Sequence, residues 1–217
     1  MVRIGVTGLM ASGKSTVARR FEERGAIRID GDALGWETLQ TPDVRARIAE
    51  AFGPEVLNPA GEVDRARLGA RVFREPREME RLNSIVQPPL RERVLAEIAA
   101  VESRRTADAA GAAGAAGHPA VVVLDAALIS TWALESELDG VVEVTASEPI
   151  RIARLRGSGR ATVEDASSRV RGQSLPPLGA AARIWRIENQ GDEATLLADV
   201  DKVWNEIAHM AAGRRRH

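Results

Sequence analysis

The chain contains no cysteine and no tyrosine among its 217 residues, and aromatic residues make up 3 % of it. Without cysteine, disulfide bonds, thiolate catalysis and thiolate metal ligands are all excluded. No apolar run approaches the roughly 20 residues of a membrane-spanning helix, and no signal peptide precedes the first predicted strand. We therefore expect a cytoplasmic protein with no membrane partner.

An excess of one charge is also lacking. The formal net charge is −1, so the chain has no overall attraction to nucleic acid or to a membrane surface. The three arginines at 214–216 are interpreted as a solvated chain end rather than a nucleic-acid patch. Nothing in the sequence indicates an oligomeric state.

Lysine is scarce as well. The chain has 30 lysines and arginines together, and the lysines among them are Lys14 and Lys202. Lys14 lies in the pattern G-x-x-x-x-G-K-[ST], which begins at Gly8 and continues through Gly13 and Lys14 to Ser15. In this phosphate-binding loop the glycines let backbone N–H groups turn toward phosphate oxygens. The lysine reaches the β- and γ-phosphates, and the serine hydroxyl ligates Mg²⁺.

The surroundings of the pattern support this interpretation. Residues 2–7 are rich in β-branched side chains and predict a strand. After the loop, Val17, Ala18 and Phe21 recur at helical spacing. A strand, a glycine-rich loop and a helix in this order direct a helix N-terminus at an anion.

Further predicted strands cover residues 26–29, 120–124, 139–145 and 183–187, with helical patterns between them. This alternation predicts an α/β fold of the P-loop NTPase type, with a doubly wound parallel five-stranded sheet flanked by helices. Three segments are singled out within one predicted domain, residues 1–217. Residues 33–100 are too long for an ordinary crossover and predict an inserted helical subdomain, with a break near Pro88 and Pro89. Residues 103–119 predict a flexible Ala/Gly-rich loop, and residues 154–175 a lid.

Two aspartates follow predicted strands, at the sheet edge where ligands of α/β proteins bind. Asp32 could orient a hydroxyl nucleophile or accept its proton, or it could simply cap a helix beginning at Ala33. Asp125 ends an apolar strand, as expected of a carboxylate that orients Mg²⁺ or its water; the alternative is a solvated strand end.

Four arginines, Arg151, Arg154, Arg156 and Arg160, flank a Gly-Ser-Gly segment. Guanidinium groups on a mobile lid could neutralise charge on a transferring phosphoryl group. We select Arg154 as the candidate, although any one arginine in so arginine-rich a chain can be a surface residue.

From about residue 2 to 207 the sequence resembles the dephospho-CoA kinases. The resemblance rests on the loop from Gly8 to Ser15, on Ile29-Asp30-Gly31-Asp32, on Gln173 and on Asn189-Gln190-Gly191. The chain departs from the usual family pattern at several positions, which are Leu9, Ala11, Gln87, Ala127, Thr131 and Arg183.

The resemblance implies an enzyme that transfers the γ-phosphoryl group of ATP, with Mg²⁺, to the ribose 3′-hydroxyl of dephospho-CoA. It implies that Asp32 meets that hydroxyl, that Arg154 lies in the lid and that residues 33–100 bind the acceptor. Asn189 would lie near the adenine, with ATP phosphates held by Ala11, Ser12, Gly13, Lys14, Ser15 and Thr16.

Other functions remain open. A kinase of a nucleoside monophosphate or another small metabolite could use the same fold, and a nucleotide-binding regulator without catalysis would keep Lys14 and Ser15. A GTPase is disfavoured, because the sequence lacks the N-K-x-D guanine motif and the D-x-x-G match at Asp32 follows Lys14 too closely.

Overall fold

The computed structural model describes residues 1–72, 75–111, 120–157, 163–173, 175, 177–179 and 183–214. The side chains of residues 106–111 and 163–165 lie outside this description.

The described strands form one parallel sheet of five strands in the order β2-β3-β1-β4-β5. Their bounds are Val2–Thr7 (β1), Ile27–Asp30 (β2), Val121–Asp125 (β3), Gly140–Thr145 (β4) and Ile184–Glu188 (β5). Every residue of β3 is buried, as its uninterrupted apolar sequence predicts for a strand covered on both faces. The helices flank this sheet, and the predicted P-loop NTPase fold is confirmed.

The α-helices of the described chain connect these strands. Their bounds are Lys14–Glu23 (α1), Gly31–Leu39 (α2), Pro42–Phe52 (α3), Arg65–Val72 (α4), Pro76–Gly111 (α5), Glu148–Gly157 (α6), Val163–Arg171 (α7) and Glu193–Arg214 (α8). None of the described helices combines the length and the apolar character needed to cross a bilayer.

One face of the sheet is covered by α1 and α8. Alternate residues of β1, such as Ile4, contribute to an apolar cluster with Phe21 of α1 and Trp204 of α8. The rings of Phe21 and Trp204 lie 5.5 Å apart and are tilted by 33°. Full burial of a side chain of this size contributes about 2–3 kcal/mol. This packing fixes α1, and with it the loop that precedes α1, on the sheet.

The chain divides into two compact units. The first comprises Met1–Asp30 and Ile98–His217, and the second comprises Gly31–Glu97. The second unit has its own apolar cluster, which includes Ile48, Phe52 and Leu68. Its loops are held by polar contacts. The Gln40 side chain, for example, donates to the Val63 carbonyl and accepts from the Val63 N–H, both at 3.0 Å.

Two local predictions are wrong. The break expected at Pro88 and Pro89 is absent, since both prolines lie inside α5. Buried side chains before and after them, Ile85 and Leu90, hold the helix by packing despite the missing backbone N–H groups. Residues 103–111 continue α5 instead of forming a loop, because the stretch is rich in alanine and arginine, which favour helix, and its one glycine, Gly111, is the last helical residue. The rest of that predicted loop, 112–119, and residues 158–162 and 174 of the predicted lid lie outside the described residues.

Candidate active site at the phosphate-binding loop

The loop between β1 and α1 is built so that two of its glycines cannot carry a side chain. A Cβ at Gly8 would lie 2.5 Å from the Val144 carbonyl oxygen, and a Cβ at Gly13 would lie 2.3 Å from Asn189 Nδ2. Gly13 also has φ +103°, which glycine adopts readily and L-residues avoid. Gly8 is therefore required by a close approach of the Val144 backbone, and Gly13 by its own backbone conformation and by the Asn189 side chain.

Ala11 is the loop residue with unfavourable backbone geometry. Its φ of 62° lies in the left-handed region, where a Cβ costs about 1–2 kcal/mol. Leu9 and Ala11 are positions at which the chain departs from the glycines usual in the family it resembles. The loop keeps its left-handed turn at residue 11 with alanine.

Lys14 contacts Asp125, one of the two aspartates predicted to lie at the site. Its Nζ donates to Oδ1 of Asp125 at 2.6 Å. The sheet order explains the contact, since β3, which ends at Asp125, pairs with β1. Asp125 is 1 % exposed, so the alternative of a solvated strand end is wrong. Its role toward Mg²⁺ stays a prediction.

Arg28 is the second cation at Asp125, and the sequence analysis did not select it. Its Nη2 and Nε donate to Oδ2 of Asp125 at 2.6 and 3.1 Å. Burial, the largest single effect, lowers the pKa of the Arg28 guanidinium. The hydrogen bonds to Asp125 and its charge outweigh that effect, and the net pKa is raised. One signal in the sequence could have identified Arg28: it is a charged residue within a four-residue strand of a parallel sheet, where apolar residues are expected.

Arg154 and Asn189 meet on the other side of the loop. Arg154 Nη2 donates to Asn189 Oδ1 at 2.8 Å, and Asn189 Nδ2 donates to the Ser12 carbonyl at 2.7 Å. Arg154 Nη1 also lies 3.4 Å from the carbonyl oxygens of Ala11 and Ser12. The structure thus places the selected arginine against the phosphate-binding loop. Whether it acts on a phosphoryl group stays a prediction.

A buried arginine, Arg151, holds the tip of the loop. Arg151 is 5 % exposed and donates to the carbonyls of Met10 at 3.0 Å and Val170 at 3.2 Å. Gln173 accepts from the Met10 N–H at 3.0 Å, so both backbone polar groups of Met10 are engaged. Burial lowers the pKa of Arg151, and the nearby charge of Glu148 opposes the shift.

A cleft of about 530 Å³ opens beside this arrangement. The predicted binding residues among those that line it are Ala11, Gly13, Thr16, Arg154 and Asn189. It also reaches Gly191 and Leu196, which provide backbone and apolar surface. Polar groups of the loop thus meet a partly apolar wall, a combination suited to a nucleotide with its phosphates at the loop.

Two serines of the loop differ in their surroundings. Ser12 is 1 % exposed, and within the described part of the chain its Oγ has no hydrogen-bond partner. A buried hydroxyl in this state is completed by a bound acceptor such as a phosphate oxygen. Ser15, in the first turn of α1, is exposed.

Asp32, the other predicted aspartate, lies in α2. It is exposed and sits in the first turn of α2, which begins at Gly31. It therefore does not occupy a capping position before a helix that starts at Ala33, although a carboxylate in a first turn still complements the helix dipole. Asp32 belongs to the second compact unit, and its approach to a phosphoryl group stays a prediction.

Comparison with known proteins identifies the family. The sequence profile described as dephospho-CoA kinase matches residues 2–192. A dephospho-CoA kinase of Moorella thermoacetica is 36 % identical over 216 residues, which cover 97 % of this chain and 95 % of that protein. One of Anaeromyxobacter dehalogenans is 36 % identical over 216 residues, covering 98 % and 94 %.

Solved structures share the fold. A protein of Thermus thermophilus superposes with a TM-score of 0.68 at 25 % identity, covering 96 % of this chain and 97 % of that one. A dephospho-CoA kinase from Campylobacter jejuni superposes with a TM-score of 0.55 at 20 % identity, covering 94 % and 96 %, and shares the fold. The profile match extends through both compact units and includes the loop, Asp125, Arg154 and Asn189. The chain belongs to the dephospho-CoA kinase family.

Proposed function

We propose that the protein transfers the γ-phosphoryl group of ATP to the ribose 3′-hydroxyl of dephospho-CoA, giving coenzyme A. The observation that carries the proposal is the family match over residues 2–192, because it covers the second unit as well as the phosphate-binding loop. A shared loop alone would support ATP binding and leave the acceptor open. The cytoplasmic location stays a prediction from the sequence.

The loop supplies the donor site in this proposal. Lys14 would move from Asp125 to the β- and γ-phosphates, and Ser12 Oγ would gain the acceptor that it lacks among the described residues. Arg154 would neutralise charge on the transferring group from its position at the Ser12 carbonyl. Asn189 would support both, since it bonds Arg154 and the loop at once.

The residues at the loop also fit Mg²⁺. The exposed hydroxyl of Ser15 and the carboxylate of Asp125 are hard oxygen donors, and Mg²⁺ in such sites takes one or two protein ligands besides phosphates and water. Both Asp125 oxygens are engaged by Lys14 and Arg28, so a direct bond requires Lys14 to leave Oδ1. Bound Mg²⁺ supplies neutralisation of the phosphate charge. Among the described residues no cluster of three or more acidic or histidine side chains offers another site.

Asp32 is assigned to the acceptor. As a carboxylate it would hold the 3′-hydroxyl in line with the phosphoryl group and accept its proton. Trp36, one turn later in α2, has the guanidinium of Arg65 5.3 Å from its ring centre. This pair gives the second unit an aromatic and cationic surface suited to an anionic nucleotide acceptor.

The first test measures ATP consumption with Mg²⁺ in the presence of dephospho-CoA, of AMP or of no acceptor, and identifies coenzyme A by mass spectrometry. Consumption that depends on dephospho-CoA is expected. ATP binding without it would overturn the proposal, and consumption with AMP would indicate a nucleoside monophosphate kinase.

Asp32→Asn then tests the acceptor residue. It should lower kcat by about 10²- to 10⁴-fold while ATP binding is retained. Asp43→Asn is the matched control, because Asp43 is also an exposed aspartate in the first turn of a second-unit helix. Equal kcat in the two variants would remove Asp32 from the mechanism.

A further inference from the structure

Arg28 reaches Asp125 because of the register between two strands. In the parallel pair of β2 and β3, Arg28 is aligned with Val123, and Asp125 lies two residues further along β3. Residues two apart on a strand face the same side of the sheet. The long arginine side chain therefore extends along this side to the carboxylate at the end of the neighbouring strand.

The two cations divide the carboxylate between them. Arg28 places two N–H groups on Oδ2, while Lys14 takes Oδ1. The Asp125 side chain is 2 % exposed, so water cannot replace either partner easily. The Arg28 side chain is 23 % exposed, and its two hydrogen bonds to Oδ2 do not involve Lys14 or Oδ1.

This division matters when Lys14 leaves. Suppose that Asp125 had Lys14 as its sole charged partner. The departure of Lys14 to a phosphate would then leave a buried carboxylate with no positive charge beside it, which is strongly unfavourable. With Arg28 in place, the carboxylate keeps a charged partner. The guanidinium also repels the Lys14 ammonium, since both bind the same group.

We propose that Arg28 is a positioning residue that holds Asp125 and thereby allows Lys14 to transfer from the carboxylate to the phosphates of the nucleotide. Arg28 does not touch the nucleotide in this role. The inference deepens the proposed function and rests on it only in taking a nucleoside triphosphate as the donor.

The test is ATP affinity, measured by calorimetry on the full chain without acceptor. Arg28→Gln should raise the Kd for ATP about tenfold, or about 1.4 kcal/mol. Arg28→Lys, which keeps the charge, should recover part of that loss. Arg186→Gln is the matched control, because Arg186 pairs with Glu143 across neighbouring strands of the same sheet while its own side chain is 68 % exposed. The ATP affinity of this variant should equal that of the wild type.

A second background separates positioning from direct contact. In Asp125→Asn the carboxylate is gone, so adding Arg28→Gln should change the Kd for ATP by less than about twofold. A full tenfold loss in that background would show that Arg28 binds the nucleotide itself and would overturn the inference. So would wild-type affinity in a folded Arg28→Gln single variant.

Thermal unfolding of each variant separates a folding defect from a binding defect. If Arg28→Gln does not fold, Arg28→Lys becomes the test variant. Its ammonium group has a single nitrogen, so it cannot reproduce the paired hydrogen bonds that Nε and Nη2 of Arg28 make to Oδ2. That variant should then bind ATP more weakly than the wild type, and equal affinity would refute the role. Wild-type protein that binds ATP but does not consume it with dephospho-CoA would contradict the proposed function and leave this inference standing.

Discussion

Replacing Asn189 by alanine removes the residue that joins the phosphate-binding loop to Arg154. Asn189 is 5 % exposed. Its amide donates to the Ser12 carbonyl at 2.7 Å and accepts from Arg154 at 2.8 Å. Its Nδ2 also lies where a Cβ of Gly13 would be, so Asn189 occupies the space that a side chain at position 13 would need.

The cost follows from the two bonds. A neutral hydrogen bond contributes about 1 kcal/mol and a bond to a charged group about 1.5–3 kcal/mol, so Asn189→Ala should destabilise the fold by about 3 kcal/mol. For a chain of this size each kcal/mol shifts the melting temperature by about 2–4 °C. The expected decrease is therefore about 6–12 °C. Affinity for ATP should also fall, because the Ser12 carbonyl and Arg154 lose a fixed partner beside the cleft.

Calorimetric unfolding and ATP titration of the same samples test both effects. Asn205→Ala is the matched control, since Asn205 is exposed on α8 and alanine is the better helix former. The control should melt at or above the wild-type temperature. If Asn189→Ala melts within about 1 °C of the wild type, the two bonds do not stabilise the loop and the reasoning fails.

Three further outcomes are expected. Ala11→Gly should raise the free energy of unfolding by about 1 kcal/mol in urea titration, because it relieves the left-handed φ of 62°; an unchanged midpoint would refute this. Lys14→Ala should weaken ATP binding strongly and change the melting temperature little, since Arg28 still compensates the charge of Asp125; a large decrease in melting temperature would contradict that view. Hydrogen bonds from Arg20, the largest effect, lower the pKa of Asp201. The stability that Asp201 contributes is therefore present above its unfolded pKa of about 4 and lost as pH falls through the lowered value. Asp201→Asn should consequently be less stable than the wild type near neutral pH, and the difference should vanish in acid.

The fold could be predicted from the sequence because its signals are local. The run of apolar residues at 121–124 predicts a buried strand, and strand β3 has these residues buried throughout. The glycine pattern from Gly8 to Gly13 predicts a phosphate-binding turn, and the structure shows that neither glycine has room for a Cβ. The apolar run and the glycine pattern are each recognised from residues adjacent in sequence, although the groups that exclude the Cβ atoms, on Val144 and Asn189, are distant in it.

The rest of the site could not be predicted because it depends on pairing between distant residues. Arg28 and Asp125 are 97 residues apart, and Lys14 and Asp125 are 111 apart. Which strand lies beside β1 is decided by the sheet order, and the strand signals alone do not specify it. The uninterrupted α5 has the same cause, since packing around Pro88 overrides the local preference for a break.

The sheet order also explains why this loop accepts residues other than glycine. Strand β1 lies between β3, which ends at Asp125, and β4, which leads to α6 and Arg154; β5 leads to Asn189. Because the carboxyl ends of parallel strands meet at one edge, these residues reach the loop from both sides. At residue 11 the left-handed turn is thus held by contacts from other elements, such as the one from Arg154 to the Ala11 carbonyl, against the preference of alanine. It follows that glycine at position 11 should change the stability of the fold more than it changes the affinity for ATP.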